Sequence, residues 1–171
     1  MKSPVLLPYL FKRYGKHNMV RLVDPDRLDL SQPFFYFARS GDAASERMVG
    51  FDEWLAAQPE PEADYSDFAG IFHVSRCGST LLARNIAESG QALVLSEPPF
   101  FRILRHRMGE TVSADVALRA SLALITAWRR WAQTRASMLV VKFNSQLHGF
   151  LPELLAGMPG ARYVFLHREP L

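Results

Sequence analysis

The sequence predicts an α/β fold with a mostly parallel sheet and helices on its faces, and three observations lead there. From Phe68 onward, apolar runs alternate with segments of helical periodicity. The runs are continuous rather than every second residue, as suits strands covered on both faces. Residues 71–90, IFHVSRCGSTLLARNIAESG, pass from such a run through a short polar turn into an amphipathic helix pattern, the order of a βαβ unit.

Taken in order, the first 67 residues are the less regular part. MVRLV and PFFYFA read as short strands and FDEWLAA as a short helix. QPEPEADYSD, residues 58–67, is acidic, holds two prolines and has no apolar period, so it reads as a loop or linker. The chain therefore divides into an N-terminal irregular segment with its linker, 1–67, and an α/β core, 68–171. In the core, FAGIFHV, ALVLS, MLVVKF and ARYVFLH are the strand candidates. Between the first two, STLLARNIAES sets Leu81, Leu82 and Ile86 on one helical face, with Gly90 as its stop. Ser113 is placed to cap a helix running to about Arg135, with Leu118, Leu122, Ile125 and Trp128 at helical spacing and one side buried. LPELLAGMPG is a short helix ended by Gly and Pro. Parallel sheets built this way bind ligands at the carboxyl ends of their strands.

At 171 residues, 49% hydrophobic and 22% charged, the chain suits a globular domain with a real core. A net charge of +3 and a pI near 9.2 fit an anionic ligand and are too weak to indicate nucleic acid. The single cysteine, Cys77, excludes an internal disulfide and a multi-cysteine metal site, and fits a cytoplasmic location. The N-terminal MKSPVLLPYLFKRYG is broken by Pro4 and Pro8 and does not read as a signal peptide. ADVALRASLALITAWRRWAQ is interrupted by Asp115, Arg119, Arg129 and Arg130, so it fails the requirement of ~20 mostly apolar residues for a membrane span.

The turn Ser75-Arg76-Cys77-Gly78-Ser79-Thr80 carries the chemistry. Gly78 permits a close backbone approach or an unusual dihedral, Ser79 and Thr80 bring hydroxyls to a helix start, and Arg76 adds a fixed charge. Amides at such a helix start converge on an anion, so the turn is a cradle for a phosphate or similar oxyanion. A nucleoside triphosphatase loop, G-x-x-x-x-G-K-[ST], is not matched: Ser79 stands where the lysine belongs, and no glycine lies five residues before Gly78. Read alone, the turn equally fits an ordinary strand-to-helix connection.

SRCGST resembles the P-[KR]-[SG]-G-[ST]-T loop of sulfotransferases that use 3'-phosphoadenosine 5'-phosphosulfate (PAPS), with Ser75 in the proline's place. The similarity is closest to protein-tyrosine sulfotransferase-like and bacterial sulfotransferase-like proteins. VLSEPPFFRIL places Glu97 where that branch has its general base, ahead of an arginine-containing helical segment; VVKFNSQ matches the family lysine with Lys142, and MPGARYVFLHREP matches the 3'-phosphate segment with Arg168. The four matches span residues 68–171 in order.

What the resemblance implies is a P-loop-type sheet and sulfuryl transfer from PAPS to a hydroxyl or amine acceptor. Glu97 would take the acceptor's proton, and Arg76 and Lys142 would neutralise charge on the transferred group and the leaving oxygen. Arg76, Cys77, Gly78, Ser79 and Thr80 would hold the 5'-phosphate end and Arg168 the 3'-phosphate, with no metal required. Other branches carry a histidine two residues after the lysine; here that position is Asn144, and His148 is a distant substitute. His73, His106 and His167 read as core or surface histidines, Cys77 as filling a small-residue position, and Trp128 and Trp131 as core. The resemblance stops at Leu171, before the serine and the basic loop that complete the family's nucleotide site. A C-terminally incomplete core is therefore expected, completed by a missing half or by an oligomer. The alternatives are a non-catalytic nucleotide- or anion-binding remnant and, third, a small-molecule kinase. Expected partners are the nucleotide co-substrate and an unknown hydroxyl-bearing acceptor, with no nucleic acid and no membrane span.

Overall fold

The computed structural model describes residues 5–38, 46–101, 112–135 and 138–168. Strands β1 (Leu7–Tyr14), β2 (His17–Val23) and β3 (Glu46–Gly50) form an antiparallel sheet in the order β1-β2-β3. The N-terminal part is thus more regular than its sequence suggests. Pro8 is tolerated because β1 is an edge strand and its register shifts between Pro8 and Leu10. PFFYFA is not a strand: Phe35–Phe37 form a 3-10 turn. Its aromatic run serves a different purpose, sending Phe35 into the core against Tyr9 at 5.0 Å and Trp128 at 5.2 Å. Helix α1 (Phe51–Ala56) matches the expected FDEWLAA helix.

The second sheet contains β4 (Phe68–His73), β5 (Ala92–Ser96), β6 (Met138–Lys142) and β7 (Arg162–Leu166), all parallel, in the order β5-β6-β4-β7. Helices α2 (Ser79–Glu88), α3 (Ala114–Gln133) and α4 (Leu151–Ala156) lie between these strands in sequence. Strand alternation sorts the side chains onto two faces. Ile71, Val94 and Val140 meet Ala83, Leu82 and Ile86 of α2 on one face. Phe72, Leu95, Leu139, Val141 and Phe143 meet α3, α4 and the first sheet on the other. Phe72 and Phe143 stack at 4.6 Å. Gly70 makes room for them, since a Cβ there would come within 3.2 Å of Tyr163, Phe72 and Phe143.

Ser113 caps α3 as expected, accepting from the Val116 amide at 3.4 Å. The helix is buried on more than one side, residues 120–126 all being buried, because it is sandwiched between the parallel sheet and the N-terminal strands. Trp128 reaches across to donate to the Pro8 carbonyl at 2.8 Å.

The acidic stretch 58–67 has no regular structure, yet it is clasped to α3. Buried Arg129 meets Glu62 at 2.8 Å and Asp67 at 2.5 Å and lies over the Tyr65 ring. Its Nε and Nη1 make no hydrogen bond, so these two are charge contacts. Arg130–Glu62, Arg119–Glu60 and Gln133–Asp67 extend the clasp, and the fully buried Tyr65 shares a hydrogen bond with Thr126. No helix among the described residues is long and apolar enough to cross a membrane.

Candidate functional site

The connection after β4 runs through α2 on one face, and the connection after its neighbour β6 runs through α4 on the other. Adjacent parallel strands whose connections diverge in this way leave a crevice at their carboxyl ends. His73 ends β4, Lys142 ends β6, and Ser96 at the end of β5 pairs across from Lys142.

Glu97 is the next residue. Its backbone N–H donates to the Lys142 carbonyl at 2.7 Å, extending the strand pairing by one step. Pro98 and Pro99 then turn the chain into a short 3-10 segment, Pro99–Phe101. Its φ of 54° lies in the left-handed region, a strained choice for a residue with a Cβ. The carboxylate is held from three directions. Lys142 Nζ donates to Oε1, Asn144 Nδ2 donates to Oε2 at 3.1 Å, and His73 Nε2 lies 3.7 Å from Oε1. The Asn144 orientation is fixed by its Oδ1, which accepts from the Gln146 amide at 3.0 Å, leaving the NH2 for Glu97. His73 Nδ1 faces the Val74 carbonyl at 3.1 Å and must donate there, which turns Nε2 toward Glu97. Lys142 is 1% exposed and Glu97 20%, so the ion pair is sunk at the ammonium end and reachable by solvent at the carboxylate end. The Phe34 ring lies 5.1 Å from Lys142 Nζ, and Phe34 contacts the exposed Phe37 edge-on.

Two residues beyond His73 the turn begins. Arg76 has φ 61° and Gly78 φ 87°. A Cβ at Gly78 would meet nothing within 4 Å, so glycine is needed there for its dihedral and not for space. Gly78 is the N-cap of the ten-residue α2 and no side chain caps the helix, which leaves first-turn amides for an incoming acceptor. Ser79 is buried, Cys77 and Thr80 half-buried, and Arg76 exposed. Arg168 lies two residues past β7, beside β4, and is exposed. Neither Arg76 nor Arg168 makes a hydrogen bond or ion pair among the described residues.

Of the residues singled out from sequence, Glu97 and Lys142 are brought into contact, and residues 76–80 follow the strand that ends in His73. Arg168 sits on a neighbouring strand end without touching the pair. His73, read from sequence as a core or surface histidine, is buried, and its approach to Glu97 was not visible in the sequence, where Asn144 likewise showed only as the absence of a histidine. The segment 102–111, with His106 and the arginines after Glu97, and residues 169–171 lie outside the described residues, as does the side chain of His148. No group of three or more potential metal ligands occurs among the described residues. No protein-family model matches the chain, and no curated protein or solved structure matches it either.

Proposed function

We propose that the chain is a PAPS-dependent sulfotransferase core of P-loop type, acting on a hydroxyl-bearing acceptor with Glu97 as general base. The observation that supports this most is the Glu97 carboxylate, held by Lys142 and Asn144 beside His73 at the crevice between β4 and β6. The turn from Arg76 to Thr80 leaves that same crevice. The residues fit such a donor: uncapped amides at the start of α2 suit a phosphate, and exposed Arg76 and Arg168 are available for anionic oxygens.

In the reaction, the acceptor oxygen forms a bond to sulfur while the bond from sulfur to the bridging phosphate oxygen breaks. Glu97 takes the acceptor's proton, and Lys142 moves from Glu97 to the departing phosphate oxygen, whose charge grows as the bond lengthens. Asn144 keeps the freed carboxylate oriented. The remaining contribution is positional, since reactants held in line gain most of their advantage from lost freedom already expended. Phe34 and Phe37 offer an apolar wall beside Lys142 for the acceptor.

The test is release of adenosine 3',5'-bisphosphate from PAPS, measured with a panel of hydroxyl acceptors and without added metal. Turnover is expected in the wild type, with a loss of about 100-fold or more in Glu97→Gln. The Glu97→Gln protein should still bind the bisphosphate, which also shows that it is folded. Full turnover in Glu97→Gln removes the base assignment, and bisphosphate binding with no turnover on any acceptor favours a binding module.

A further inference from the structure

A cavity of about 570 Å³ opens at the other end of the molecule, along the C-terminal half of α3. Its apolar surface is Ala123, Ala127 and Trp131 on one stripe of the helix, facing Leu7 and Val5 at the start of β1. This is the end of α3 that leads into the amino-terminal edge of β6, and Gln133 there bonds Asp67, which precedes β4. The cavity therefore lies at the amino ends of the parallel strands, away from Glu97 and Lys142, and is not the acceptor pocket proposed above. Its size falls within the ~300–1,000 Å³ of small-molecule sites, which are mostly apolar with a few placed polar groups.

The polar groups in the lining decide the ligand. Asp24 pairs with Arg27 at 3.5 Å, Asp26 with Arg135, and Arg130 with Glu62 at 2.8 Å. Each charge in the wall thus has a counter-charge, and none is left over to recruit an ion. The hydroxyls are engaged too: Thr126 bonds Tyr65 at 3.1 Å, and Thr134 donates to the Trp131 carbonyl at 2.7 Å. Gln58 donates its amide to the Trp54 carbonyl at 2.9 Å, leaving its side-chain oxygen as an acceptor at the rim. Arg135 roofs one end, its guanidinium 3.6 Å from the Trp131 ring. Asp26 and Thr134 Oγ1, which accepts from Arg135 Nη1 at 2.9 Å, hold it there, so it closes that end and a flat ring lies along the part of Trp131 that lines the groove.

We infer that this groove is a binding site for a neutral, flat aromatic molecule of two or three rings carrying at most one hydrogen-bond donor. The donor meets Gln58 and the rings lie against Trp131. A charged analogue is rejected, because it must either break one of the wall's ion pairs or enter an apolar slot uncompensated.

The test uses a matched pair of fluorescent probes, neutral N-phenyl-1-naphthylamine and 8-anilinonaphthalene-1-sulfonate, which has nearly the same body plus a charge. Saturable one-to-one binding of the neutral probe is expected with Kd on the order of 10–100 μM, as its size allows, and the sulfonate at least ~10-fold weaker. Ala127→Phe, which fills the groove, should abolish binding with the far-UV circular dichroism spectrum unchanged. Val5→Asp alters only an exposed rim residue and should weaken the neutral probe by about fivefold or more, by placing a charge at an apolar mouth. If Ala127→Phe fails to fold, Val5→Asp decides. Absence of saturable binding, equal affinity for the sulfonate, or binding that persists unchanged in the variants overturns the inference.

Discussion

Replacing either member of the Lys142–Glu97 pair should have unequal costs, and the inequality follows from their burial. Glu97→Gln leaves an ammonium that is 1% exposed facing a neutral amide. Breaking a buried pair by removing one partner costs about 3–5 kcal/mol; the glutamine oxygen still accepts from Nζ, so about 3 kcal/mol is expected. Lys142→Met removes the deeply buried charge itself, and the remaining carboxylate is 20% exposed and keeps its bond from Asn144 at 3.1 Å. That change should cost only about 1–2 kcal/mol. The double variant, with neither charge, should lie near Lys142→Met, giving a coupling of about 3 kcal/mol in the cycle. Urea unfolding followed by circular dichroism on the four proteins measures all of this. Glu97→Gln within about 0.5 kcal/mol of wild type, or a coupling below that, would show that the pair does not hold the strand ends together.

Three further outcomes follow from other contacts. Arg76→Gly relieves the strained φ of 61° and should raise stability by roughly 0.5 kcal/mol while weakening bisphosphate binding, a divergence that a simple fold defect cannot produce. Arg129→Met strips the clasp from Glu62 and Asp67; because these carboxylates are 26% and 31% exposed, the expected loss is about 2 kcal/mol rather than the full cost of a buried pair, read from the urea midpoint. The Tyr163 hydroxyl is buried without a hydrogen-bond partner among the described residues, and burial first, then the Tyr65 charge, pushes its pKa from 10.0 up to about 12. The fold therefore prefers the neutral phenol: this contribution is intact below pH 10.0 and lost as the pH rises through about 12, so the alkaline fall in unfolding free energy should be smaller in Tyr163→Phe.

The four parallel strands were legible because each is an unbroken apolar run, the signature of burial on both faces. Ser113 was legible as a cap because the apolar period begins just after it. β1 and β3 were not, since LPYLFKRY contains a proline and ends in charges, and ERMVG is short and half-polar; both are specified by pairing with β2. The clasp on 58–67 was hidden for a related reason: Arg129 and its carboxylates are more than sixty positions apart, and only the packed helix brings them together. At the site, Glu97 and Lys142 could be placed at strand ends from the chain alone. Their contact with one another, and with Asn144 and His73, depends on the order β5-β6-β4, which no local pattern states. A single histidine closing an apolar strand carries no signal of its own.

The most direct measurement is calorimetry of adenosine 3',5'-bisphosphate with the wild-type chain, Arg76→Ala and Arg168→Ala, in buffer containing a chelator. Saturable binding is expected without metal, weakened about 10-fold in each variant, the loss of one charge-assisted contact. Absence of binding to the bisphosphate, or binding of equal strength in all three proteins, would contradict the nucleotide site at Arg76–Thr80 on which the proposed chemistry depends.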